Sequence, residues 1–267
     1  MAPRPTRSLR HEYELFVEQE IENYKESLPR SVLLSIGDEA VSSLATHQQL
    51  ALTELLLCEE VDRIIFRRLR LPTYETWRRR RLKILEELRR PDHWGLRPDD
   101  AIVRAVRAPA DARVLVAAAP DDAAALYLAA NGCEVTAIAP AVEEVERVMQ
   151  AAIQAGLGER VHAQIGNLAS WTPQAPLSAV IVSRAALEGL SARERARVIT
   201  VLQSATMDGG VHLVQTIAGS RAASTADGRS GPSVEELRSR YRGWEVSIER
   251  TEGTARSRTF MARKGAA

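Results

Sequence analysis

The side chains able to do chemistry in this 267-residue chain are few and scattered. Its five histidines, His11, His47, His93, His162 and His212, have no partner at metal or catalytic spacing. His162 and His212 fall on expected strands, where a satisfied core or surface histidine is the ordinary case. Cys58 and Cys133 are the only cysteines, each without a second cysteine or a Cys/His cluster nearby, so neither a metal site nor a disulfide framework is expected. Asp121 and Asp122 are adjacent carboxylates in a turn. Neighbours in a turn rarely converge on one substrate, and Asp122 reads better as the N-cap of the helix that follows. Ser183-Arg184 falls at the end of an expected strand, the edge where α/β sheets bind ligands. Arg184 has the charge to hold an anion, but a surface pair with Glu188 one helical turn on is the simpler reading.

Arg78–Arg81 is the strongest charge feature. From Val61 to Arg107 basic residues outnumber acidic ones by fourteen to seven, whereas from Met1 to Glu60 acidic ones lead by eleven to five. Three readings fit the arginines: a solvated face neutralised by Glu75, Glu86, Glu87 and the acidic early helices; phosphate contact with nucleic acid; or self-association of an acidic helix from one copy with a basic helix from another. No aromatic residues interleave with the arginines to stack on bases, which favours the solvated face.

These residues must be positioned by two halves of different texture. Tyr13, Phe16, Val17, Ile21, Tyr24 and Leu28 repeat at the spacing of one helix face, and Pro29 marks the end of that helix. A second helix is expected from a Ser31 cap to Ala45, a third over about 48–70, and a fourth from a Thr73 cap to Arg90. A connecting segment, 92–110, carries one short helix around Asp99–Val106. After Ala112, apolar runs of strand length alternate with amphipathic helices. Strands are expected at 113–118, 134–139, 160–165, 179–183 and 211–218, with helices at 122–131, 142–155, 192–206 and 234–241. A final pair, 244–250 and 259–263, is close enough in sequence to be antiparallel. This alternation implies a mostly parallel sheet covered on both faces. The expected organisation is a helical domain over 1–110 and an α/β domain over 111–267. Gly219–Pro232 reads as a long loop, and Ser233 with Glu236 as a capping box.

Hydrophobic residues make up 45% of the chain, enough for a full core, and the net charge of +1 gives no global field toward nucleic acid or membrane. The charged N-terminus does not resemble a signal peptide and no run approaches a membrane span, so a cytoplasmic protein without membrane contact is expected.

Four stretches carry a family resemblance: "ALYLAANGCEVTAIAP" (125–140), "VIVSRAALEGL" (180–190), "MDGGVHLV" (207–214), and "EELRSRYRGWEVSIERTEG" (235–253) followed by "TFMARK" (259–264). In this order they resemble the class I S-adenosylmethionine-dependent methyltransferases, most closely the tellurite-resistance methyltransferase group, over about 111–264. The resemblance implies a Rossmann-like seven-stranded α/β fold, here preceded by an all-helical domain that it does not cover.

The resemblance also implies where a cofactor would sit. In such enzymes the first strand ends in an acidic residue and a three-glycine turn follows. Here the acidic position is Val116, and the glycines are Ala118, Pro120 and Asp122. Ala118 adds a methyl group to the approach surface, and Pro120 removes an N–H donor. The second strand would end in a carboxylate that accepts from both ribose hydroxyls; here it is Ala139. Losing two hydrogen bonds to a charged acceptor costs about 3–6 kcal/mol, roughly a hundredfold to more than ten-thousandfold in affinity. Asn167 replaces an aspartate near the adenine, a mild change, and Ala179 replaces another at the fourth strand. Ser183 completes the set of family positions. The expectation is a non-catalytic relative without a cofactor, binding S-adenosylmethionine only if the altered site is still competent. Its contacts would be with a protein partner or a second copy through residues 9–90. The alternatives are an active, divergent methyltransferase on a small molecule or metalloid, and nucleic-acid binding through Arg78–Arg81.

Overall fold

The computed structural model describes residues 8–45, 54–106, 111–117, 123–217, 231–250 and 257–265. It separates into two compact units, Met1–Ile84 and Leu85–Ala267. Residues 85–106 therefore group with the sheet, and not with the helical half as the sequence pattern suggests. The reason is burial: Leu88, Ile102 and Ala105 enter the same core cluster as Val114 and Leu126, and the indole of Trp94 donates to the Leu88 carbonyl at 2.7 Å.

In the first unit, α1 (Leu9–Ser27) starts at Ser8, whose hydroxyl accepts from the His11 amide at 3.2 Å. Helix α2 (Arg30–Ala45) begins earlier than its expected cap. The Pro29 carbonyl accepts from Val32 and Leu33, so Ser31 lies inside the helix. Helices α3 (Glu54–Leu69) and α4 (Tyr74–Leu88) follow. Ile21, Ile36, Ala40, Ile64 and Ile65 form the core of this unit. Tyr13 packs against Phe16, Tyr74 and Trp77 with ring centroids 5.5–6.4 Å apart. Arg81 reaches Glu12 at 3.1 Å, tying α4 to the acidic first helix.

The end of α3 is unusual. Arg70 adopts φ +50°, the left-handed conformation that usually belongs to glycine after a helix. Its amide donates to Arg67 and the next amide, Leu71, reaches back to Phe66. The Arg70→Gly variant is expected to be more stable by about 0.5–1 kcal/mol, because relief of the Cβ clash exceeds the added freedom of the unfolded chain. A urea midpoint that is unchanged or lower would show that the Arg70 side chain makes a compensating contact.

The second unit holds one seven-stranded sheet in the order β3-β2-β1-β4-β5-β7-β6. Its strands are β1 (Arg113–Ala117), β2 (Glu134–Ala139), β3 (Val161–Ile165), β4 (Leu177–Val182), β5 (Thr206–Ile217), β6 (Glu245–Arg250) and β7 (Ser257–Arg263). The first five run parallel, and β7 pairs antiparallel with β5 and β6. The helices are α5 (Ala101–Ala105), α6 (Ala123–Ala130), α7 (Val142–Gln154), the one-turn α8 (Arg184–Leu187), α9 (Ala192–Ala205) and α10 (Val234–Arg240). Ala125–Ala130 of α6 are all buried, as suits a helix that is apolar all round. A full capping box between Ser191 and Glu194 starts α9. At Ser233 the hydroxyl does accept from the Glu236 amide, but the Glu236 carboxylate turns to Arg195 and Arg240.

Gly209 and Gly210 lie in a bulge within the fifth strand. Leu177 of β4 pairs with Thr206, and Ala179 next pairs with Val211. Gly209 has φ +76°, and a Cβ on Gly210 would lie 2.5 Å from Thr206 Cγ2 and 2.8 Å from the Met207 carbonyl oxygen. Only glycine fits there. The chain end clasps the bulge: Lys264 exchanges backbone bonds with Gly209 and Gly210, at 3.1 and 2.9 Å.

Candidate functional site

In a doubly wound sheet, ligands bind outside the carboxyl ends of the strands, where the strand order reverses. Here β1 lies between β2 and β4, so that edge falls at Ala117, Ala139 and the residue after β4, Ser183. The Ser183 amide donates to the Ala117 carbonyl at 2.8 Å, so these two are neighbours. On the other side, Ala139 pairs with Ile165, and its carbonyl accepts from Gly166 at 2.9 Å, which brings Asn167 alongside. The fold thus gathers Ala139, Asn167 and Ser183 at one edge. Ala118, Pro120 and Asp122 lie outside the described residues.

Each gathered residue has a structural occupation. Ala139 is buried and offers a methyl group where a carboxylate would accept. Val116 is buried between Ala137 and Ile181 in the sheet. The Asn167 side-chain oxygen accepts from the Ser170 amide at 3.1 Å and contacts its hydroxyl at 3.3 Å, closing a local turn. The Ser183 hydroxyl caps α8 by accepting from the Ala186 amide at 3.2 Å. Arg184 pairs with Glu188 at 2.5 Å, both half exposed, which is the simpler of the two readings from sequence. Gly231 lies against that arginine: a Cβ there would be 3.1 Å from Arg184 Cγ. Ala179 is removed from the site altogether. It pairs with Val114, near the opposite end of the strands, and is buried in the core.

The residues described at this edge differ from the donor set that the resemblance implies for S-adenosylmethionine. The ribose presents two hydroxyl donors, and the end of β2 presents Ala139 to them. The Asn167 oxygen is engaged in its own turn, and the described part of the edge supplies no carboxylate for the sulfonium or amine charge. Among the described residues no group of His, Cys, Asp or Glu could hold a metal ion, and no helix is long and apolar enough to cross a membrane.

The fold of the sheet has counterparts in solved structures. TehB from Haemophilus influenzae superposes with a TM-score of 0.51 at 16% identity, covering 61% of this chain and 61% of that one. The chain has the class I methyltransferase fold. The match leaves more than a third of TehB's length uncovered. The CcbJ methyltransferase from Streptomyces caelestis matches this fold at 15% identity and a TM-score of 0.50, over 62% of this chain and 87% of that one. The cyclase SpnF matches it at 18% identity and a TM-score of 0.50, over 62% of this chain and 79% of that one. No protein-family model matches the sequence, and no curated protein does.

One group of residues escaped the sequence pattern. Arg78–Arg81 stand out along the chain, whereas the structure adds Arg67 and Arg70 at the end of α3 as exposed cations beside them in the chain. The signal was in composition: Arg67, Arg68 and Arg70 precede the proline that separates the two helices.

Proposed function

We propose that the sheet unit is a methyltransferase-fold domain that does not use S-adenosylmethionine, and that the chain acts by binding through its helical unit. One observation supports this reading: Ala139, buried at the end of β2, stands where the resemblance implies an acceptor for the ribose hydroxyls. A fold does not by itself fix a chemistry, and function resides in the site grafted on it. Among chains of this fold, CcbJ is a methyltransferase and SpnF a cyclase.

Isothermal titration with S-adenosylmethionine tests the proposal. No saturable binding is expected at concentrations below about 1 mM, the range to which loss of the ribose anchor moves a micromolar ligand. A dissociation constant in the low micromolar range would overturn it. If turnover to S-adenosylhomocysteine then accompanied a thiol, amine or metalloid acceptor, the chain would be an active, divergent methyltransferase.

A further inference from the structure

We propose that the end of α3 and the outer half of α4 bind the phosphate backbone of a nucleic-acid duplex. Residues 67–83 hold eight basic side chains and one acidic one, Glu75. Two of the eight are neutralised within the unit, Arg68 by Glu39 and Arg81 by Glu12. Arg67, Arg70, Arg78, Arg79, Arg80 and Lys83 are exposed, and among the described residues none of them forms an ion pair. Arg79 makes only a long bond, 3.4 Å, to the Glu75 carbonyl. Elsewhere in the unit Arg10, Lys25 and Arg63 find carboxylates, and Arg30 is exposed without an ion pair among the described residues. The neutralisation by Glu75, Glu86 and Glu87 that the sequence suggests is absent at these six.

Shape selects the partner. Successive helical residues step by about 100°, so Arg78, Arg79 and Arg80 spread over about 200° of α4, with Lys83 between the last two one turn on. Tyr74, Trp77 and Arg81 hold the other side against α1. A flat anionic surface meets one side of such an arc. A groove with phosphates on both walls meets both, and the major groove of a duplex, about 12 Å wide, admits a helix. A second copy is the poorer partner, since α1 offers only Glu18, Glu20 and Glu26 outside an ion pair among the described residues. Tyr13, Phe16, Tyr74 and Trp77 pack on one another, and Tyr24 and Phe66 pack against the aliphatic core, which points to duplex backbone and away from stacking on single strands. Arg70 keeps a charge at a left-handed position where glycine is the easier residue.

The test is fluorescence anisotropy of a labelled, mixed-sequence DNA duplex of about 20 base pairs with the full chain, from about 50 to 300 mM NaCl. Binding in the micromolar range at low salt is expected, with a log–log salt slope of about −4 to −5. The R78Q/R79Q/R80Q variant should bind at least about tenfold more weakly, with the slope reduced by about one for each phosphate no longer neutralised. Arg30→Gln, an exposed cation outside the cluster, should bind as the wild type does. Absence of binding at low salt, or an unchanged slope in the triple variant, overturns the proposal. So does a wild-type dimer in sedimentation that the triple variant abolishes without DNA, or equal affinity for anionic lipid vesicles. None of these results depends on whether the sheet unit takes a cofactor.

Discussion

Stability is expected to fall steeply as the pH drops from about 6.5 toward 3, with His212 the dominant single contributor. This residue is fully buried in β5. Its Nδ1 lies 2.7 Å from the Tyr241 hydroxyl, and its Nε2 lies 2.7 Å from Thr206 Oγ1. Thr206 has one hydroxyl hydrogen and donates it to the Leu202 carbonyl at 2.7 Å. Its oxygen must therefore accept from Nε2–H, which leaves Nδ1 bare to accept from Tyr241. The neutral imidazole is satisfied at both nitrogens, and a second proton has no acceptor to meet. Trp244 and Tyr241 close over the ring edge-on at 4.9 and 5.5 Å. Burial is the main force that pushes the imidazole pKa down to about 3, and the nearby Lys264 ammonium adds to it.

The sign follows from these states. An unfolded histidine takes up a proton below about 6.5, whereas the folded one resists until about 3. Between those values the unfolded state binds the extra proton, so stability decreases as the pH falls, by up to about tenfold in the folding equilibrium per pH unit. The contribution is complete above pH 6.5. Urea midpoints compared between wild type and His212→Gln across pH 7 to 4 should diverge at neutral pH and converge in acid. Parallel curves would mean that other groups dominate the acid response. At neutral pH, Tyr241→Phe strands the bare Nδ1 in the core and should lower stability by about 1–3 kcal/mol.

The second large effect is expected at Glu236. Arg195 is buried, and its guanidinium donates to both Glu236 carboxylate oxygens at 3.3 Å and to the Leu190 carbonyl at 2.7 Å. Glu236 sits in the first turn of α10, so one carboxylate joins α9 to α10, which share a core cluster. Removing the carboxylate takes from a buried cation the anion that meets two of its donors, a change that usually costs about 3–5 kcal/mol. Glu236→Ala should fall at the lower end, about 3 kcal/mol, because the Leu190 carbonyl still accepts. The exposed pair Arg184–Glu188 is the control, where Glu188→Ala should change stability by less than about 1 kcal/mol. Similar urea midpoints for the two variants would refute a special role for Glu236.

Much of the fold was legible in the sequence for local reasons. The second strand and the start of α7 lie where the patterning places them, Glu134–Ala139 and Val142, because strand and helix periods are set by near neighbours. The short elements were not. The single turn Pro91–Trp94 and the one-turn α8 are too brief to show a period. Ser31 looked like a cap, but caps depend on which carbonyl opens the helix, and Pro29 took that place. Of the candidate site, the chemistry of Val116 and Ala139 could be read directly, since an alkyl side chain accepts no hydrogen bond wherever it sits. The engagement of Asn167 with Ser170 and of Ser183 with Ala186 required the turns themselves.

The sequence by itself thus determined most of the succession of helices and strands, the apolar side chains Val116 and Ala139 where the resemblance implies acidic ones, and the excess of arginine between Val61 and Arg107. These are properties of single residues or of neighbours within a few turns. Tertiary structure decided what each polar group meets. Tyr241, 29 residues after His212, completes the buried histidine's hydrogen bonds, and Glu236, 41 residues after Arg195, neutralises a core guanidinium. Glu12 claims Arg81 across 69 residues and leaves Arg78, Arg79 and Arg80 facing solvent. Such pairings depend on which elements the packing brings side by side, and no spacing along the chain encodes them.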